Sequence, residues 1–307
     1  MIKTMQQTVG ASFSVGGKGL HTGKVSNLTV KPAPEDSGIR FMRKDIGEDA
    51  VIEAVAENVS GTARCTTITN GSFSVVTIEH LLSALTGMGI DNAIIELDNE
   101  EVPILDGSAR PYVEAIREVG TLAQSAPRRY VEVDRVIEIY DEKSGSMVRI
   151  EPADAASYDL RIDFNSRVLG IQDAHWDPSV SYADEIGICR TFVFFHEIEH
   201  LFRNNLIKGG DVDNAIVIVE HPVEKEQLDH LSKLFDVPSL ARSESGYLNN
   251  LSLHFENECA RHKMLDLIGD LRLVGGFLKA KVTAVKSGHS INTRAARAVR
   301  DLLLERN

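Results

Sequence analysis

The sequence predicts an α+β protein built from two similar domains, and three observations predict it. The same helix–strand–helix order occurs in each half of the chain. It keeps the same spacing, since 28 positions separate His80 from Ser108 and again His262 from Ser290. The main composition break, Leu122-Ala123-Gln124-Ser125-Ala126-Pro127-Arg128-Arg129, is small and polar and falls between the two patterned regions. The boundary is therefore placed there, with a first domain over residues 1–126 and a second over 127–307. The functional site is expected in the crevice between them.

The elements follow in order. Gly10 to Val30 reads as two strands around the Gly-rich turn Gly16–Gly23. Thr77 is expected to cap a helix through Glu79, His80, Leu81, Leu82 and Leu85, which Gly87-Met88-Gly89 ends. Asn92–Leu97 follows as a strand and Ser108 opens a second helix. In the second half, His262–Leu271 has helical spacing, Gly275-Gly276 breaks it, Leu278–Val285 alternates as a strand, and Ser290–Leu304 forms the last helix.

Composition narrows the function. The 307 residues are 43% hydrophobic and 25% charged, as in globular proteins. Lys and Arg number 33 against 45 Asp and Glu, a net charge of −12. An acidic chain lacks the broad basic face that nucleic-acid binding uses, so no nucleic-acid partner is expected. The first residues contain no apolar run of signal-peptide length, and no transmembrane segment is expected. Three scattered cysteines, Cys65, Cys189 and Cys259, do not make a disulfide framework. The chain is expected to be a cytoplasmic monomer acting on a small molecule, with at most surface contact with a membrane.

Two constellations compete for the chemistry. His196-Glu197-Ile198-Glu199-His200 fits the H-E-x-x-H pattern, which sets two imidazoles one helical turn apart with a glutamate base. By itself it supports a zincin-type metallopeptidase using His196, Glu197 and His200. The second set is more complete. His262 and Asp266 lie four apart on one helical face and can share an ion, although such a pair also occurs as a plain hydrogen bond. With His80 from the first half they make three ligands and leave a fourth position for water, as a catalytic zinc requires. Glu79 is then beside a ligand and suited to take a proton from that water. His289, on the turn after the last strand, can act as a cation or proton donor, and Asp270 is placed to orient it.

With these residues assembled, the chain resembles the zinc-dependent UDP-3-O-acyl-N-acetylglucosamine deacetylases, which catalyse the committed step of lipid A synthesis in Gram-negative bacteria. The matching stretches are Gly19–Gly23, Thr77–Leu85, Val102–Ala109, Arg190-Thr191-Phe192, His262–Leu271 and Lys286–His289, in family order along the whole chain. The resemblance implies two α+β layers packed face to face with the metal between them. It implies that His80, His262 and Asp266 bind Zn2+, with Fe2+ an alternative. Glu79 would be the general base, His289 with Asp270 the general acid, and Thr191 an oxyanion donor. The acylated UDP-GlcNAc would meet Lys263 and Lys286 at its diphosphate and Phe164 and Phe192 by packing. A βαβ insert over about 191–219, with Gly209-Gly210 allowing close approach, would form the acyl passage. On this reading His196 and His200 belong to the insert and are not ligands. No appended dehydratase domain is expected, since the sequence ends at Asn307.

Overall fold

The computed structural model describes residues 4–198, 213–234 and 237–305. The first half runs β1 (Met5–Val9), β2 (Phe13–Lys18), β3 (Val25–Pro32), β4 (Ile39–Arg43), β5 (Val51–Glu53), β6 (Val59–Gly61), β7 (Thr67–Thr69), β8 (Ser74–Val76), α1 (Glu79–Gly87), β9 (Ala93–Leu97) and α2 (Arg110–Val119). The second runs β10 (Thr121–Pro127), β11 (Tyr130–Glu132), β12 (Ile137–Asp141), β13 (Ser146–Pro152), β14 (Ser157–Asp163), β15 (Ile171–Trp176) and α3 (Tyr182–Glu185). It continues with β16 (Phe192–Phe194), β17 (Ile216–Ile218), α4 (Lys225–Leu234), α5 (Glu258–Leu271), β18 (Phe277–Val285) and α6 (His289–Leu304).

The two main sheets share one topology. The first has the order β2-β3-β9-β4-β5, and the second β12-β13-β18-β14-β15, with β11 added to β18. In each, the strand after the long helix enters the centre, pairing antiparallel with one neighbour and parallel with the other. The halves match strand for strand, so the equal spacing in the sequence reflects a repeated unit. What differs lies between the fourth sheet strand and the long helix. The first half inserts the small sheet β6-β7-β8 there, and the second inserts the parallel pair β16 and β17.

Alternation decides how the sheets bury. Along β18, Leu278, Ala280, Val282 and Ala284 point to the core while their neighbours are more exposed. The helix α1 is different, since every residue from Glu79 to Leu85 is buried, and α5 is nearly as enclosed. Helices covered all round in this way lie inside the molecule. The two pack against each other, α5 also lies on β14 and β15, and α6 lies on β12 and β13. One buried apolar cluster runs through both halves.

Three sequence expectations need adjustment. Residues 122–127, read as part of the composition break between the domains, belong to β10, which pairs antiparallel with β1. Small polar residues fit there because that strand is largely solvent-facing. Thr77 does not cap α1. It sits at φ 61° and its hydroxyl donates to the buried Glu101 carboxylate at 2.9 Å, leaving α1 to begin at Glu79 without a side-chain cap. Finally, α5 begins at Glu258, four residues before the expected start, because Glu258 to Ala260 are buried by contacts that helical spacing alone does not announce.

Candidate metal centre and active site

The crossing of α1 and α5 builds the site. Gly269 permits it, since a Cβ there would sit 2.1 Å from the Glu79 carbonyl oxygen, far inside contact distance. The first turn of α1, bearing Glu79 and His80, thereby faces the stripe His262, Asp266 and Asp270, spaced by four along α5. One ligand atom from each of His80, His262 and Asp266 lies within 4.8 Å of the others. Asp266 Oδ1 is 3.5 Å from Nε2 of both histidines, whose rings meet edge to face with centroids 5.0 Å apart.

The group is buried and incompletely satisfied. His80 Nδ1 and Asp266 Oδ1 have no hydrogen-bond partner among the described residues. Unmet polar atoms in such a place are costly, and a cation would use the oxygen directly. His262 Nδ1 donates to the Cys189 carbonyl at 3.1 Å, which leaves Nε2 as the lone-pair nitrogen facing Asp266. Burial drives the His262 pKa down to about 3 against the pull of Asp266, so its ring is neutral. Asp266 is held well below the usual carboxylate range: burial opposes its charge, but the Lys263 ammonium is the foremost influence outweighing it. Lys263 Nζ lies 2.8 Å from Asp266 Oδ2. A neutral His262 ring and an ionised Asp266 are in the protonation states a divalent cation needs.

A second buried hub adjoins the first. Asp270, fully enclosed, accepts from His289 Nδ1 at 2.9 Å, Asn292 Nδ2 at 2.9 Å and Thr66 Oγ1 at 2.5 Å. Thr66 also donates its backbone N–H to Glu79 Oε2 at 3.0 Å, so one residue grips both carboxylates. His289 Nε2 points back toward Glu79 Oε1 at 3.8 Å. Burial alone would discharge His289, but Asp270 and Glu79 override it and raise its pKa to about 9. Burial likewise raises the pKa of Glu79, against the attraction of His289 and His80. An acid and a base with opposed environments stand side by side, the arrangement used for proton transfer in both directions.

Comparison with known proteins decides the family. The family model of UDP-3-O-acyl N-acetylglycosamine deacetylase (LpxC) matches residues 6–232 and 239–301. The chain is 44% identical over 96% of its length to the bifunctional enzyme LpxC/FabZ of Porphyromonas gingivalis, of which it spans 64%. It is 41% identical over 96% of its length to the UDP-3-O-acyl-N-acetylglucosamine deacetylase of Anaeromyxobacter sp., covering 88% of that protein. The one from Pseudomonas entomophila is 40% identical, with 95% and 89% covered. The chain belongs to the UDP-3-O-acyl N-acetylglycosamine deacetylase family.

The remaining residues singled out by resemblance to this deacetylase family take varied positions. Phe192 begins the insert strand β16, with its ring 6.4 Å from that of His262 and 5.4 Å from Phe164, which is half-exposed. Lys263 Nζ lies 5.6 Å from the centre of the Phe192 ring, at the junction of the ligand cluster and the aromatic group. Thr191 stands just before Phe192, and its N–H donates to the Gly107 carbonyl at 2.8 Å. Lys286 is engaged elsewhere, with its ammonium 2.9 Å from Asp163 Oδ2. Gly210, with Glu199, His200 and Gly209, lies outside the described residues. His196 is exposed and stacks on Phe194, and Glu197 faces Arg64 at 3.9 Å, so neither joins the ligand cluster. The cysteines are free and buried, and burial lifts the Cys65 thiol to about 12, an inert state.

Sequence reasoning missed Thr66, Asn292, the Cys189 carbonyl, and the ion pair of Arg190 with Glu258. The Thr66 hydroxyl and the Cys189 carbonyl lie in connecting segments, and a lone amide such as Asn292 on α6 carries no periodic signature. Arg190 alone stood in a matching stretch, and its partner lies 68 positions away.

Proposed function

We propose that the chain is a metal-dependent deacetylase removing the N-acetyl group of UDP-3-O-(3-hydroxyacyl)-N-acetylglucosamine, releasing acetate in the committed step of lipid A synthesis. The observation that carries this reading is the buried cluster of His80, His262 and Asp266 beside the Glu79–Asp270–His289 hub. The donor set, two imidazoles and one carboxylate with an unmet oxygen, fits Zn2+, and Fe2+ is accepted by the same ligands. Such a cation supplies Lewis acidity, polarising the amide carbonyl and making water a better nucleophile.

The protein's own groups do the rest. Glu79, less acidic than usual, takes the proton of the attacking water as its oxygen adds to the acetyl carbon. His289, cationic at neutral pH, gives a proton to the amine as the C–N bond breaks, and Asp270 fixes its orientation. The Thr191 hydroxyl supports the carbonyl oxygen as negative charge develops. Lys263 and Lys286 meet the diphosphate, Phe164 and Phe192 pack on the substrate, and the insert with Gly210 accommodates the acyl chain. Three free, buried cysteines suit a reducing cytoplasm. Among the described residues no helix is long and apolar enough to cross a membrane.

Metal content and deacetylation by the purified protein test the reading. His262→Ala is expected to lose both, Glu79→Gln to keep the metal while turnover falls by roughly 10²–10⁴-fold, and His196→Ala with His200→Ala to keep both. Full activity in His262→Ala would overturn it, and loss of metal in His200→Ala would favour a peptidase site in the insert.

A further inference from the structure

Glu258, the first residue of α5, has no exposed surface, yet its carboxylate is filled by donors. Oε1 accepts from Arg190 Nε at 2.9 Å and from the Arg190 backbone N–H at 3.1 Å. Oε2 accepts from Arg190 Nη2 at 3.1 Å and from the His254 N–H at 2.6 Å. The same Nη2 also donates to the Ser252 carbonyl at 2.6 Å. Both the guanidinium and the main chain of Arg190 are therefore locked to the start of α5.

The neighbours of Arg190 reach the site. Cys189 offers its carbonyl to His262 Nδ1, and Thr191 is tied through its N–H to Gly107 and through its carbonyl to the N–H of Ile216, each at 2.8 Å. His262 is one turn beyond Glu258 on the same helix. Two residues four apart on α5 thus grip two consecutive residues of the loop, Glu258 holding Arg190 and His262 meeting Cys189. This double grip sets the register between helix and loop, and with it the rotation of the His262 ring. A buried ion pair adds little net stability compared with apolar groups of the same shape, whereas its geometry is demanding.

We propose that Arg190 and Glu258 are positioning residues for the metal centre, holding the Cys189 carbonyl against His262 and setting Thr191 and Phe192 at its edge. The proposal rests on the metal-dependent reading given above. Outer partners of metal-bound histidines typically govern affinity by 10–100-fold, because they fix the tautomer and aim the lone pair.

The experiment uses full-length protein stripped of metal and titrated with Zn2+ against a chromophoric chelator, alongside the thermal midpoint of each metal-free variant. Arg190→Lys keeps the charge but cannot fork, and Arg190→Met with Glu258→Gln removes both charges without leaving one buried alone. Both are expected to weaken Zn2+ by about 10–100-fold and to lower kcat with little change in KM. Wild-type affinity and kcat in these variants, whatever their thermal midpoints, would overturn the proposal and leave the pair a purely structural one. The His262→Ala control separates the two ideas. If wild type binds no stoichiometric Zn2+, or His262→Ala binds it equally well, the metal reading fails and takes the proposal with it. If His262→Ala alone loses Zn2+, only the proposal fails.

Discussion

His289 and Asp270 show how a single carboxylate retunes an imidazole. Asp270 is the foremost influence raising the pKa of His289 against burial, to about 9. Replacing Asp270 with Asn should move the alkaline limb of the kcat/KM profile down from near pH 9 toward the ordinary imidazole value. An unmoved limb would assign it to another group. The same shift links to stability with a definite sign. A folded-state pKa above the unfolded one stabilises fully below about pH 6.5, and that contribution is lost as pH rises through about 9. Denaturant unfolding of the wild type should lose on the order of a few kcal/mol across that window, and His289→Gln should show a flatter profile. Thr66 gives a further test. Thr66→Val leaves the N–H to Glu79 but strands one oxygen of Asp270, an expected cost of about 1–3 kcal/mol, and Thr66→Ser should restore turnover.

At the scale of elements, the decisive contact is the crossing of α1 and α5. A methyl group at Gly269 would collide with backbone, which cannot move aside as a side chain can. Gly269→Ala should therefore lower the thermal midpoint by an amount corresponding to about 1–3 kcal/mol and weaken Zn2+ binding together. A stable Gly269→Ala protein with wild-type metal affinity would show that the close approach does not position the ligands. The stripe His262, Asp266, Asp270 was legible because contacts within a helix follow its period. The start of α1 was not, since Thr77 serves a buried carboxylate, Glu101, that is 24 positions away and invisible to capping rules. The polar stretch at 122–127 did not announce its strand, because a solvent-facing strand and a break between domains use the same small residues.

Across the whole molecule, the proposed ligands His80, His262 and Asp266 come from both halves, so a cation bound there would tie α1 to α5. Saturating Zn2+ should stabilise the fold by roughly 4 kcal/mol at a thousand times its dissociation constant, and a chelator should remove that gain. The midpoint of His262→Ala is expected to be indifferent to either, as read by calorimetry. The repeated topology makes this arrangement intelligible: each half contributes its long central helix, and the site forms where the two meet.

Alone, the sequence determined the helix–strand–helix order in each half, the repeat that relates the halves, and the imidazole–carboxylate stripe, because these depend on spacing within one turn or one strand. It also carried the family, through short stretches distributed along the chain. Only the tertiary structure decided that His80 faces His262 and Asp266, that Thr66 bridges Glu79 and an Asp270 lying 204 positions away, and that Glu258 locks Arg190. Those contacts join elements remote in the chain. Their geometry is set by which surfaces can approach closely, as Gly269 allows, and by which buried polar atoms must find partners.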